Sequence, residues 1–259
     1  MQPSFELFAR QIATIERIIW TLTFAAQLVL LVVLVGRDRA RRYPWFTACT
    51  ALFALQLLAG VLLSGRMARL PLQETLITLN VLGALVSLLV VVEMARKAFA
   101  GAQRSICIVN TAGLLLVCGG LLFFLEPWPA WNSLALDSLL GKLLLMQLVA
   151  QKGDLLVALL TLGLGLLVFI FGGHYKSGWR SHTQSIVIGL FAVAVSMMAW
   201  ETAVLRTLHY TVAESSNVMR LRWGFAFAHN LVYLAALVWW IVWLWQNEPG
   251  ADKQEPSAE

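Results

Sequence analysis

Charge is scarce in this sequence. Charged side chains make up 13% of its 259 residues, against about 25% in an ordinary soluble domain. Hydrophobic side chains reach 59%, where about 45–50% is usual, and the mean hydropathy is +0.76. That balance excludes a soluble globular protein, a disordered chain and a collagen-like repeat. Cysteine is scarce too. Cys49, Cys107 and Cys118 are an odd set with no paired spacing, which argues against a disulfide framework or a zinc site and for small buried hydrophobes. No Asn-x-Ser/Thr glycosylation acceptor occurs. The start, Met1-Gln2-Pro3-Ser4-Phe5-Glu6, lacks the basic stretch of a cleavable signal. The first apolar run is also too long for one, so it is expected to stay as a membrane anchor.

Long apolar runs are what the chain has in abundance. About 20 such residues cross ~30 Å of hydrocarbon as a helix. The expected fold is therefore an all-α integral membrane protein, a bundle of seven transmembrane helices plus one interfacial amphipathic helix. The spans are read at about 15–35, 46–64, 76–95, 106–125, 155–172, 185–205 and 225–245. Together they form one membrane domain, 1–246. Breaks are marked by Arg37 to Pro44, by Arg66 to Pro71, by Arg96 to Arg104, by Glu126-Pro127-Trp128-Pro129 and by Gly172 to Lys176. The amphipathic helix is placed over 131–153, where Asp137, Lys142, Gln147, Gln151 and Lys152 interrupt apolar sequence. Two charges near the middle of a further span would be costly, although the segment could also run unbroken into the fifth span. The tail, 247–259, has four acids and two prolines without apolar periodicity and is expected to be a disordered cytoplasmic segment.

The net charge is +5 and the pI about 9.4. Lys and Arg flank the apolar spans in short runs, so orientation in a bilayer explains them better than nucleic-acid binding. The densest run is Arg37-Asp38-Arg39-Ala40-Arg41-Arg42. Lys/Arg totals on the two sides nearly tie, but one side packs its charges into three short loops, and short loops beside early spans dominate orientation. The expected topology puts the N-terminus outside and the C-terminus in the cytoplasm of a bacterial cytoplasmic membrane. Tryptophans crowd span ends, above all Trp239, Trp240, Trp243 and Trp245, as interfacial belts require.

Polar groups inside hydrocarbon carry the functional signal. Gln27, Gln56, Asn80, Glu93, Asn110, Glu201, His229 and Asn230 fall within spans. Glu201 lies four residues before the outer end of its span and His229 four after the start of its own, each about 6 Å deep. An outward-facing polar pocket is expected from Glu201, His229, Asn230, Tyr233 and Asn80, with Arg206 and Arg222 at its mouth favouring an anionic ligand. The bland alternative is hydrogen bonding between helices, expected above all for Gln27, Gln56, Asn80 and Asn110. Glu93 and Arg96, three apart, can pair at the cytoplasmic end of the third span.

Motifs for chemistry are few. A metal site from Glu201, His209, Glu214 and His229 matches no known ligand spacing, and His174 and His182 are read in a cytoplasmic loop. No metal or cofactor is expected. Seven helices with the N-terminus outside resemble the rhodopsin and receptor superfamilies in topology alone, but Gly224–Gln246 holds no lysine for a retinal Schiff base. The expected function is a non-enzymatic sensing or accessory role, with membrane lipid and another membrane protein as partners and no nucleic acid. A small lipid enzyme using Glu201 and His229 as acid and base is the alternative. A transporter is weaker, since no internal repeat is apparent and Gly/Pro breaks are few.

Overall fold

The computed structural model describes residues 3–63, 66–99, 113, 117–121, 138–171, 181–210 and 216–247. Its long elements are all helices: α1 (Pro3–Gly36), the single turn α2 (Arg39–Arg42), α3 (Pro44–Leu63), α4 (Arg69–Ala98), α5 (Leu139–Phe171), α6 (His182–Tyr210) and α7 (Ser216–Trp245). Among the described residues, six helices are long and apolar enough to cross a membrane: Thr14–Gly36, Pro44–Leu63, Leu70–Ala98, Leu139–Ile170, His182–Thr202 and Trp223–Trp245. The expected fourth span, 106–125, lies outside the described residues except for Gly113 and Val117–Leu121, which are helical. Residues 248–259 of the tail also lie outside.

One expectation is corrected. Leu139–Gly153 is not a separate interfacial helix, because it continues through the predicted fifth span as the 33-residue α5. Gln151-Lys152-Gly153-Asp154 lowers the local hydropathy without breaking the helix. Nothing there is a proline, and Gly153 lets α5 approach α4 so closely that a Cβ would stand 2.9 Å from that of Ala84. Lys152 is itself buried. Residues 131–137 lie outside the described residues.

The helices form a closed ring. In the order α1, α3, α4, α5, α6, α7, each packs on the next, and α7 returns to α1. Large apolar side chains such as Val32, Val35 and Ile170 are two-thirds exposed. An exterior this greasy is a surface for lipid rather than water.

Contacts fix the directions. Cys49 meets Ser87 and Gln56 meets Leu79, so α3 and α4 are antiparallel. Ser196 meets His229, while the Ser185 carbonyl meets Trp239, so α6 and α7 are antiparallel as well. Between α4 and α5 the numbers rise together. Gly153 lies at Ala84, and Asp154 to Thr161 face Ser87 to Val91 across one cavity. These two neighbours therefore run parallel.

Five helix ends are tied together at one face. The Arg37 guanidinium lies 4.7 Å over the Trp245 ring, and Arg39 Nη2 donates to the Gln246 carbonyl at 3.4 Å. Tyr43 Oη and Thr183 Oγ1 share a hydrogen bond of 3.0 Å, and Lys97 Nζ sits 4.1 Å over the Tyr43 ring. Pro44 opens α3, a position that suits its fixed φ and missing N–H. The Phe46 N–H, an orphan donor of that first turn, reaches Glu93 Oε2 at 3.1 Å. Glu93 Oε1 pairs with Lys97 at 3.1 Å, four residues on, rather than with the exposed Arg96. His182 is another correction: it is the first residue of α6 and only 1% exposed, not a loop residue.

The other face is uneven. α3 has 20 residues, but α1, α4, α5, α6 and α7 have between 29 and 34. At 1.5 Å per residue the long ones reach about 44–51 Å, well past ~30 Å of hydrocarbon. With one set of ends tied, the surplus stands at the opposite face.

Candidate functional site

Inside the ring lies a cavity of about 160 Å³ bounded by five helices. α3 contributes Phe46, Cys49, Thr50 and Phe53, and α4 contributes Ser87, Val90 and Val91. α5 supplies Asp154, Val157, Ala158 and Thr161, α6 supplies Leu190, Val193, Ala194 and Met197, and α7 supplies Tyr233 and Trp240. The spacing on α5 explains its share. Residues 154, 157, 158 and 161 recur at three and four, one face of a helix. The cavity is mostly apolar, with a few convergent polar groups, the usual make-up of a small-molecule site.

Its tied-end floor is aromatic. Phe46 and Trp240 meet edge to face at 5.1 Å. The Trp240 Nε1–H donates to the Ile186 carbonyl at 3.3 Å, and its indole fills the space where a Cβ on Gly189 would stand. Higher up, the Tyr233 hydroxyl accepts from Gln27 Nε2 at 3.0 Å, joining α7 to α1. Cys49 Sγ and Ser87 Oγ are 3.4 Å apart.

Asp154 was missed by the sequence reading, and it is the carboxylate of this cavity. It lies 17 residues from Phe171, the α5 end that points to the tied face because α5 runs parallel to α4, about 26 Å. It is within electrostatic reach of Glu201 on α6. Glu201 lies 19 residues from the tied end of its helix and His229 16 from the end of its own, about 28 and 24 Å. The three ionisable groups thus share one level, near the far edge of a ~30 Å slab drawn from the tied end.

The expected site residues fare unequally. Tyr233 lines the cavity. His229 and Glu201 are half-buried at the level of Asp154, and His229 Nδ1 is 2.9 Å from Ser196 Oγ. Asn230 is half-buried and does not line the cavity. Asn80 is exposed and accepts from Gln56 Nε2 at 3.4 Å, while the same nitrogen donates to the Leu79 carbonyl at 2.7 Å. It serves the α3–α4 contact and is not part of the cavity. The side chains of Arg206 and Arg222 lie outside the described residues, as do those of His209 and Glu214. Both helices carrying Glu201 and His229 extend further than expected, to Tyr210 and from Ser216, though their apolar stretches stop at Thr202 and start at Trp223.

A second hollow, about 640 Å³, lies between α1 and α3 and is lined by Glu16, Arg17, Trp20, Leu57 and Val61 among others. Among the described residues two helices frame it, as a groove on the bundle's flank. The interior cavity is the better candidate, since five helices converge on it with a carboxylate at one end. Among the described residues, no three His, Cys, Asp or Glu side chains gather to hold a metal ion. No known protein family, curated protein or solved structure matches the chain, so function is argued from geometry.

Proposed function

We propose that the chain is a non-enzymatic sensing or accessory protein of a bacterial cytoplasmic membrane, which binds a small molecule in the cavity beneath Asp154. The observation that carries this reading is a 160 Å³ space at the centre of a helix ring, with a carboxylate at one end. Ionisable side chains within a membrane are expensive and mark function by default. The pocket of this reading is deeper than the one expected from Glu201, His229, Asn230, Tyr233 and Asn80. Glu201 and His229 become its vestibule.

A seven-crossing topology is part of this reading. α4 and α5 are parallel neighbours, which favours one further crossing in the stretch that joins them. Val117–Leu121 is helical within that stretch, and Cys118 is 3% exposed in the common core. The tied end gathers Arg37, Arg39, Arg41, Arg42, Arg96 and Lys97 at the ends of α1, α2 and α4. Such density favours the cytoplasmic side, and in this reading the N-terminus and the Asp154 level face the exterior. In this reading the protein signals through a partner, and the uneven rim offers helix surface for one.

The test is genetic. Ala194→Leu adds volume to the cavity wall. A strain lacking the gene, complemented with this variant at wild-type membrane abundance, is expected to keep the transcript changes of the deletion. Full complementation by the filled variant would overturn the pocket.

A further inference from the structure

Resting on that reading, we infer that the cavity ligand is a compact primary ammonium cation. The wall chemistry is one-sided. Among the described residues, Asp154 is the carboxylate lining the cavity, and no lysine, arginine or histidine lines it. Glu201 lies within electrostatic reach of Asp154. Lys152, two residues before Asp154, lies about 200° away round α5 and does not line the cavity.

The hydroxyls point the same way. Thr50 Oγ1 donates to the Phe46 carbonyl at 2.9 Å, and Thr161 Oγ1 donates to the Val157 carbonyl at 2.7 Å. Each hydroxyl has one hydrogen, so toward a ligand either oxygen can act only as an acceptor. With the Asp154 oxygens they ask for a ligand rich in N–H donors. Tyr233 differs, since its oxygen accepts from Gln27 and its O–H remains to donate, but one neutral donor does not balance a carboxylate in hydrocarbon. An ammonium group supplies both the positive charge and several donors.

Size and shape set the rest of the molecule. An apolar cavity of about 150 Å³ takes a benzene-sized guest, and this one is about 160 Å³. Phe46, Phe53, Tyr233 and Trp240 surround the apolar part, and aromatic faces attract cations as well as hydrocarbon. The inference differs from the anionic ligand expected at the mouth from Arg206 and Arg222, whose side chains lie outside the described residues.

The probes are cyclopentylamine, charged at neutral pH, and cyclopentanol, its neutral counterpart of nearly equal volume. Binding is measured by calorimetry on the full-length protein in lipid nanodiscs. Cyclopentylamine is expected to bind at least about tenfold more tightly than cyclopentanol. Asp154→Asn is expected to remove that preference by weakening cyclopentylamine, while cyclopentanol still binds, which also reports that the variant is folded. Equal affinity for the two probes, or a preference that survives Asp154→Asn, overturns the cation inference and leaves the pocket standing. If neither probe binds, pocket and cation fall together. Should Asp154→Asn fail to insert, the wild-type ratio decides.

Discussion

Glu93 holds two elements with one carboxylate: Oε2 accepts the Phe46 N–H at 3.1 Å while Oε1 pairs with Lys97 at the same distance. A negative group at the first turn of α3 satisfies an orphan donor and complements the helix dipole. Glu93 is 8% exposed, so removing it leaves a buried N–H unpaired. Glu93→Ala is expected to destabilise the protein by about 1–3 kcal/mol, whereas Arg96→Ala, at an exposed position, should stay within about 0.5 kcal/mol. Reversible unfolding in detergent measures both. Equal losses from the two substitutions would show that the tied end does not depend on this carboxylate.

Gly189 makes room for the Trp240 indole. A methyl group there must displace a large ring that also donates to the Ile186 carbonyl. Gly189→Ala should cost about 1–3 kcal/mol by overpacking. Gly60→Ala meets nothing within 4 Å and should be neutral or stabilising by up to about 1 kcal/mol through helix propensity. The pair is compared by thermal melting in the same lipid. A Gly189→Ala protein as stable as wild type would contradict the α6–α7 packing.

The Gln27–Tyr233 hydrogen bond closes the ring between α1 and α7. Interhelical bonds of this kind contribute about 0.6–2 kcal/mol within a membrane. Tyr233→Phe and Gln27→Leu should therefore be coupled, and the double variant should lose less than the sum of the singles. A double-mutant cycle on unfolding free energies gives the coupling directly. Strict additivity would mean that the two side chains do not meet.

Topology is tested with single cysteines in a cysteine-free background. Arg41→Cys and Gln246→Cys should label from the cytoplasmic side only, since Arg39 and Arg37 bring these positions to one face. Arg66→Cys, across α3, should label from outside. Accessibility of Arg41→Cys and Gln246→Cys from opposite faces would rule out the crossings argued here.

Hydropathy made the six apolar helices readable because each needs only a long run without charge, and Leu28, Val61 and Val242 are exposed, as a lipid-facing position allows. The polar glue was legible too: Gln27 and Gln56 bond across helices. Asp154 was not, and the reason is local. Gln151-Lys152-Gly153-Asp154 ended one reading window and preceded the next, so the carboxylate fell between two elements. Read as one helix, the same letters would have put it on the face shared with Val157, Ala158 and Thr161. Asn80 misled in the opposite way, because depth along a helix says nothing about which side of it a residue faces. The expected partner of Glu93 was Arg96, three residues on; Lys97, four residues on, holds the carboxylate instead, and its ammonium also reaches the Tyr43 ring.

The parallel contact of α1 with α7 has a consequence for biogenesis. Gln27 and Tyr233 are 206 residues apart, so a chain threaded into the bilayer from its N-terminus carries α1 with one flank uncovered until α7 has been made. Sealing of the bundle is a single late event, and any truncation before the last helix leaves an open seam for lipid or a chaperone to occupy.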